Sequence, residues 1–164
     1  MKLRTFIFSS LALALGACHT IDDDRIPYAP VRIAFNTQAD WEVYGVTGAL
    51  DSQRFIKYEN TLYPPNFPFT ELTYTGFGGV LLCGDIHGNP VAYDLSCPVE
   101  RSRTVRVVVD TQKMNAYCPD CHSEYGVFDN NGAPLSGKAL SNNYGLRRYS
   151  VTRGMQGEYR VILN

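Results

Sequence analysis

The residues able to do chemistry concentrate between Tyr117 and Gly137, in YCPDCHSEYGVFDNNGAPLSG. Cys118 and Cys121 stand two residues apart, and His122, Ser123 and Tyr125 follow at once. A third thiol, Cys97, lies in AYDLSCPVE, directly after an apolar strand-like run. Thiolates hung on two loops can hold zinc or an iron–sulfur cluster. In an oxidising compartment they can instead join as a disulfide. The run Cys118-Pro-Asp-Cys121-His122 also has the C-x-x-C-H spacing of c-type haem attachment. The residues after it, with Gly126, Val127, Phe128 and Asn-Asn-Gly, do not predict the helix that usually carries that motif. A fourth metal ligand is not evident. On an extended loop His122 points away from Cys121. Cys83 sits several residues back from a loop tip, at about 3.3 Å per residue.

Other chemistry is thinly represented. There are only three histidines, and none stands near a nucleophile motif, so the chain is not expected to be an enzyme. Lys+Arg number 15 against 16 Asp+Glu with no basic run, which excludes a nucleic-acid surface. Gly76-Phe-Gly-Gly79 precedes no helix-forming stretch, so it is not read as a phosphate loop. These glycines predict a bulge or a close strand approach instead.

The elements that must position the cysteines read as strands. Val31–Phe35 alternates apolar and other residues, and Arg54–Tyr58, Val80–Cys83 and Pro90–Tyr93 follow. Thr104–Asp110 (TVRVVVD) is the clearest strand signal. Lys113–Tyr117, Tyr125–Phe128, Leu146–Thr152 and Tyr159–Leu163 complete the set. Asn36–Ala49 fits either a strand pair or one short helical turn. No segment sustains helical periodicity beyond about two turns. The class is all-β, antiparallel sheets closed into a sandwich or barrel with two cysteine-bearing hairpin loops.

The first residues read as targeting. Lys2 and Arg4 form a positive start, Thr5–Leu15 is a short apolar run, and Leu15-Gly-Ala-Cys18 follows. That run resembles the lipobox of bacterial lipoproteins, which implies a signal peptide over 1–17 and a lipid on Cys18. Removing Lys2 and Arg4 takes the net charge from −1 to −3. Residues 18–30, with Asp22 to Asp24, are expected to be a polar tether, and 31–164 the β-domain. The resemblance implies a membrane-anchored protein of the bacterial envelope, in the periplasm or outer membrane. The acidic run resembles a surface-export signal.

Taken together, the two cysteine loops resemble the Rieske [2Fe-2S] iron–sulfur family, over roughly Gly78 to Leu163. Cys97 and Cys118 match that family's two cysteines. Ser123 and Tyr125 match the residues that donate hydrogen bonds to the cluster sulfurs. Ser136-Gly137-Lys138-Ala139 matches the loop that covers the cluster. Val99 and Cys121 stand where the two histidines belong, and valine has no electron pair for iron. The standard His2Cys2 cluster therefore cannot form at these positions.

Three readings follow from the same residues. In the first, the domain has lost its cluster and is a binding or structural module without cofactor. A disulfide from Cys97 to Cys118 or Cys121 then staples its loops, contributing about 3 kcal/mol for a loop of about twenty residues. In the second it transfers electrons through a [2Fe-2S] cluster or other metal on Cys97, Cys118 and Cys121, with His122 as a further candidate. In the third it carries haem on Cys118, Cys121 and His122. Beyond the membrane no protein or small-molecule partner is indicated.

Overall fold

The computed structural model describes residues 20–58 and 61–164. The signal segment expected over 1–17 and Cys18, the expected lipidation site, lie outside them.

β1 (Val31–Phe35) buries Val31, Ile33 and Phe35 on one face, as its alternation predicts. The ambiguous stretch after it is a helix, α1 (Gln38–Tyr44). A capping box decides the matter: Asp40 N–H donates to Thr37 Oγ1 at 3.1 Å, and Thr37 N–H to Asp40 Oδ2 at 2.9 Å. Trp41, on the buried side of α1, meets Phe35 edge-on at 4.9 Å.

The larger sheet comprises β1 with β2 (Ser52–Tyr58), β3 (Thr61–Tyr63), β4 (Tyr74–Thr75), β5 (Val80–Gly84) and β6 (Pro90–Asp94). Two late strands, β11 (Arg148–Thr152) and β12 (Arg160–Leu163), join them. Its order is β3-β2-β5-β6-β11-β12-β1-β4, antiparallel throughout. The sheet curls until Lys57 N–H in β2 reaches Thr75 Oγ1 in β4 at 3.2 Å. A smaller antiparallel sheet contains β7 (Val108–Asp110), β8 (Asn115–Tyr117), β9 (Glu124–Gly126) and β10 (Ala133–Pro134), in the order β10-β9-β8-β7. The all-β expectation is met.

β5 explains why VLLC shows no alternation: it is buried on both faces. Val80 and Leu82 join a cluster with Phe35, Trp41, Phe55 and Phe67. Leu81 and Cys83 face a second cluster with Tyr93, Leu95, Cys97, Cys118, Tyr125 and Phe128. The cysteine loops are thus attached to the second core.

Three expectations need correction. Only Val108–Asp110 of the TVRVVVD segment is regular strand. Earlier in that segment Cys97 N–H donates to Val105 O at 3.1 Å and Val107 N–H to Leu95 O at 2.8 Å. The chain changes partner midway, from the end of the larger sheet to the smaller one. The predicted covering loop begins a short helix, α2 (Gly137–Asn142). The supposed tether is docked in its later part. Asp22 exchanges backbone hydrogen bonds with Asn143 and Gly145, both at 2.9 Å, and Ile26 is buried. Arg147 pairs with Asp24 at 2.8 Å.

Candidate metal centre

Two turns of the same construction present the sulfurs. Each begins with Cys-Pro: Cys97-Pro98-Val99-Glu100-Arg101 and Cys118-Pro119-Asp120-Cys121-His122. In the first, Arg101 N–H closes back on Cys97 O at 2.8 Å; in the second, His122 N–H closes on Cys118 O at 3.0 Å. Both closing residues are left-handed, at φ 53° and 56°. Inside each turn the amides fold around the leading sulfur. Val99 and Glu100 N–H point at Cys97, while Asp120 and Cys121 N–H point at Cys118. N–H donors on a sulfur favour its thiolate, the form that binds metal.

The turns face each other. The Sγ atoms of Cys97, Cys118 and Cys121 all lie within 4.8 Å of one another, and this trio could hold a metal ion. Cys97 and Cys121 Sγ stand 3.6 Å apart. Two sulfurs on one tetrahedral ion at about 2.3 Å stand about 3.8 Å apart, so the spacing and donor type fit. Among the described residues all four cysteines are free thiols. Cys97 and Cys118 are fully buried and Cys121 is partly exposed.

Two hydroxyls complete the surroundings. Tyr125 Oη lies 3.4 Å from Cys97 Sγ, and Ser123 Oγ lies 3.3 Å from Cys121 Sγ. Burial, then the Cys97 sulfur, pushes the Tyr125 hydroxyl well above its ordinary pKa, so it stays protonated and able to donate. Ser123 Oγ also accepts from Ala139 N–H at 3.1 Å, which ties α2 over the site. Gly137 lets α2 come this close: a Cβ there would stand 2.9 Å from Ser123 Oγ and 3.0 Å from its Cα.

The three thiols differ. Burial pushes Cys118 up to about 12 and raises Cys97, against which its Tyr125 and amide hydrogen bonds work. Burial also opposes ionisation of Cys121. The Ser123 hydroxyl and amide and the two neighbouring thiols outweigh it, so this thiol sits below its ordinary value.

The first turn is held from behind by a residue that the sequence reading missed. Asp94 is fully buried. Its carboxylate accepts from Phe77 N–H at 2.8 Å, Gly78 N–H at 2.9 Å, Ser96 N–H at 2.7 Å and Tyr149 Oη at 2.6 Å. Burial raises its pKa against the pull of those four donors. The Gly-Phe-Gly-Gly run therefore wraps a carboxylate, in a close approach of the kind expected. The only signal in the sequence was an acid closing an apolar strand beside Leu-Ser-Cys.

Other predicted residues fall away from the trio. His122 is exposed on its left-handed turn and is not one of the grouped ligands. Cys118, which a haem would have to reach, is fully buried, and the motif runs into β9 instead of a helix. Val99 is partly buried and packs on the second core. Cys83 sits inside β5, where burial holds its thiol protonated. Comparison with protein-family models, curated proteins and solved structures finds no match. The iron–sulfur likeness rests on the motif residues themselves.

Proposed function

We propose that this protein is a metal-binding β-domain that holds one soft ion on Cys97, Cys118 and Cys121. The observation that carries the reading is the convergence of three sulfurs from two matching turns, with 3.6 Å between Cys97 and Cys121. Three thiolates select thiophilic ions, zinc or iron, over magnesium or calcium. Ligands to different irons of a two-iron cluster straddle the cluster, so sulfurs this close favour a single ion. Bound there, the ion would tie the two turns together through the second core. The Rieske-like motif residues support descent from a metal-binding frame. The lipobox at Cys18 supports anchoring in a bacterial envelope membrane. Cobalt titration tests the reading. Sulfur-to-cobalt charge-transfer bands at one equivalent support it, and their absence from the reduced chain sinks it.

A disulfide staple is the second reading, favoured by the same 3.6 Å. A bond of about 2.05 Å between Cys97 and Cys121 needs only a small movement of the exposed turn. It leaves Cys118 buried without a role, whereas the metal reading uses all three thiols. Mass mapping of the protein under non-reducing conditions separates the two.

A further inference from the structure

The matching turns differ at one position that matters for a metal. In the second turn the fourth residue is Cys121, which faces the first turn and lies 3.6 Å from Cys97. In the first turn the fourth residue is Glu100. Its backbone takes the same part as that of Cys121: each amide points at the leading sulfur of its own turn, and each precedes the left-handed residue that closes it. The two turns face each other. A pair of facing turns with like backbones offers four ligand positions, the first and fourth of each. Three are cysteines and the remaining one is a glutamate. Its side chain is exposed and, like that of His122, its ligand atom does not lie among the grouped sulfurs, so it reaches the ion only by turning to another rotamer.

We propose that Glu100 is the fourth ligand of the centre, its carboxylate closing a Cys3Glu tetrahedron around one divalent ion. This rests on the metal reading of Cys97, Cys118 and Cys121 and adds one residue to it. A carboxylate oxygen binds zinc at about 2.0–2.2 Å, slightly inside the sulfur distance. A glutamate also makes the fourth bond harder and more exchangeable than a thiolate, so the ion is open to incoming ligands on that side.

The test is cobalt and zinc titration of the full reduced chain and of three variants, Glu100→Gln, Glu100→Cys and Glu71→Gln. Glu71 is exposed, on the loop before β4, and serves as control. Glu100→Gln is expected to keep the sulfur-to-cobalt bands but to weaken zinc by at least about tenfold, the loss that even an outer partner of a ligand produces. Glu100→Cys is expected to strengthen the charge-transfer band, as a fourth sulfur joins the ion. Glu71→Gln should match the wild type. Wild-type affinity in Glu100→Gln, with no added sulfur band in Glu100→Cys, overturns the assignment and leaves the three-cysteine site standing. A wild type that binds neither ion overturns both.

Discussion

Asp94 Oδ1 accepts the backbone N–H of Ser96 at 2.7 Å, one residue before Cys97. The same buried carboxylate ties down Phe77, Gly78 and Tyr149, so the first cysteine turn is fixed to both β6 and β11. Asp94→Asn keeps the shape but puts an amide NH2 where donors already point. Denaturant unfolding should show a loss of about 2–3 kcal/mol from the stranded donors. Unchanged stability would mean that the carboxylate does not organise this turn.

Gly78 gives an independent check on that packing. A Cβ there would stand 2.6 Å from the backbone N of Ser96 and 2.8 Å from the side-chain Oδ1 of Asp94, which its four donors hold in place. Gly78→Ala should cost about 1–3 kcal/mol by overpacking and weaken metal binding with it. Gly48 has nothing within 4 Å of its Cβ position, so Gly48→Ala should stay within about 0.5 kcal/mol of wild type.

Tyr125 acts on the sulfur of Cys97 through its hydroxyl, at 3.4 Å. Tyr125→Phe removes only that group. Zinc affinity should fall about tenfold while one ion per chain still binds at saturation. Competition with a chromophoric chelator reads both numbers. An unchanged affinity would show that the hydroxyl only fills space.

The directions of the thiol shifts fix the pH dependence. Cys118, near 12, and Cys97, raised by burial, hold their protons at neutral pH, and a metal must displace them. Cys121 is shifted down and releases less than one. Binding should therefore strengthen with pH, releasing about two to three protons near pH 7. Calorimetry in buffers of different ionisation enthalpy counts them. In the metal-free chain iodoacetamide should label Cys121 first, faster at higher pH, with Cys97, Cys118 and Cys83 slow. Preferential labelling of Cys118 would contradict this order.

Much of this architecture was legible because its signals are local. β1 announces itself by alternation, and the two Cys-Pro runs by composition. α1 stayed ambiguous because seven residues give too little periodicity, although Thr37 and Asp40 already had capping-box spacing. The TVRVVVD run has strand chemistry throughout, but which strand it pairs with is a long-range property, and it pairs with two. Asp94 was invisible as a support because its four donors come from three separate stretches of chain. Glu100 is not legible as a ligand for a related reason: aligned by motif, Val99 occupies the ligand position. Only the folded backbone shows that the fourth residue of each turn is the equivalent one.

The proposed centre holds one ion on three converging thiols, and counting the ion tests this most directly. The reduced chain is loaded with zinc, passed through a desalting column and measured for metal per protein. One equivalent is expected in the wild type and in Cys83→Ala. Near zero is expected in each of Cys97→Ser, Cys118→Ser and Cys121→Ser, with circular dichroism confirming that the variants fold. No zinc retained by the wild type, or full retention in Cys118→Ser, would contradict it.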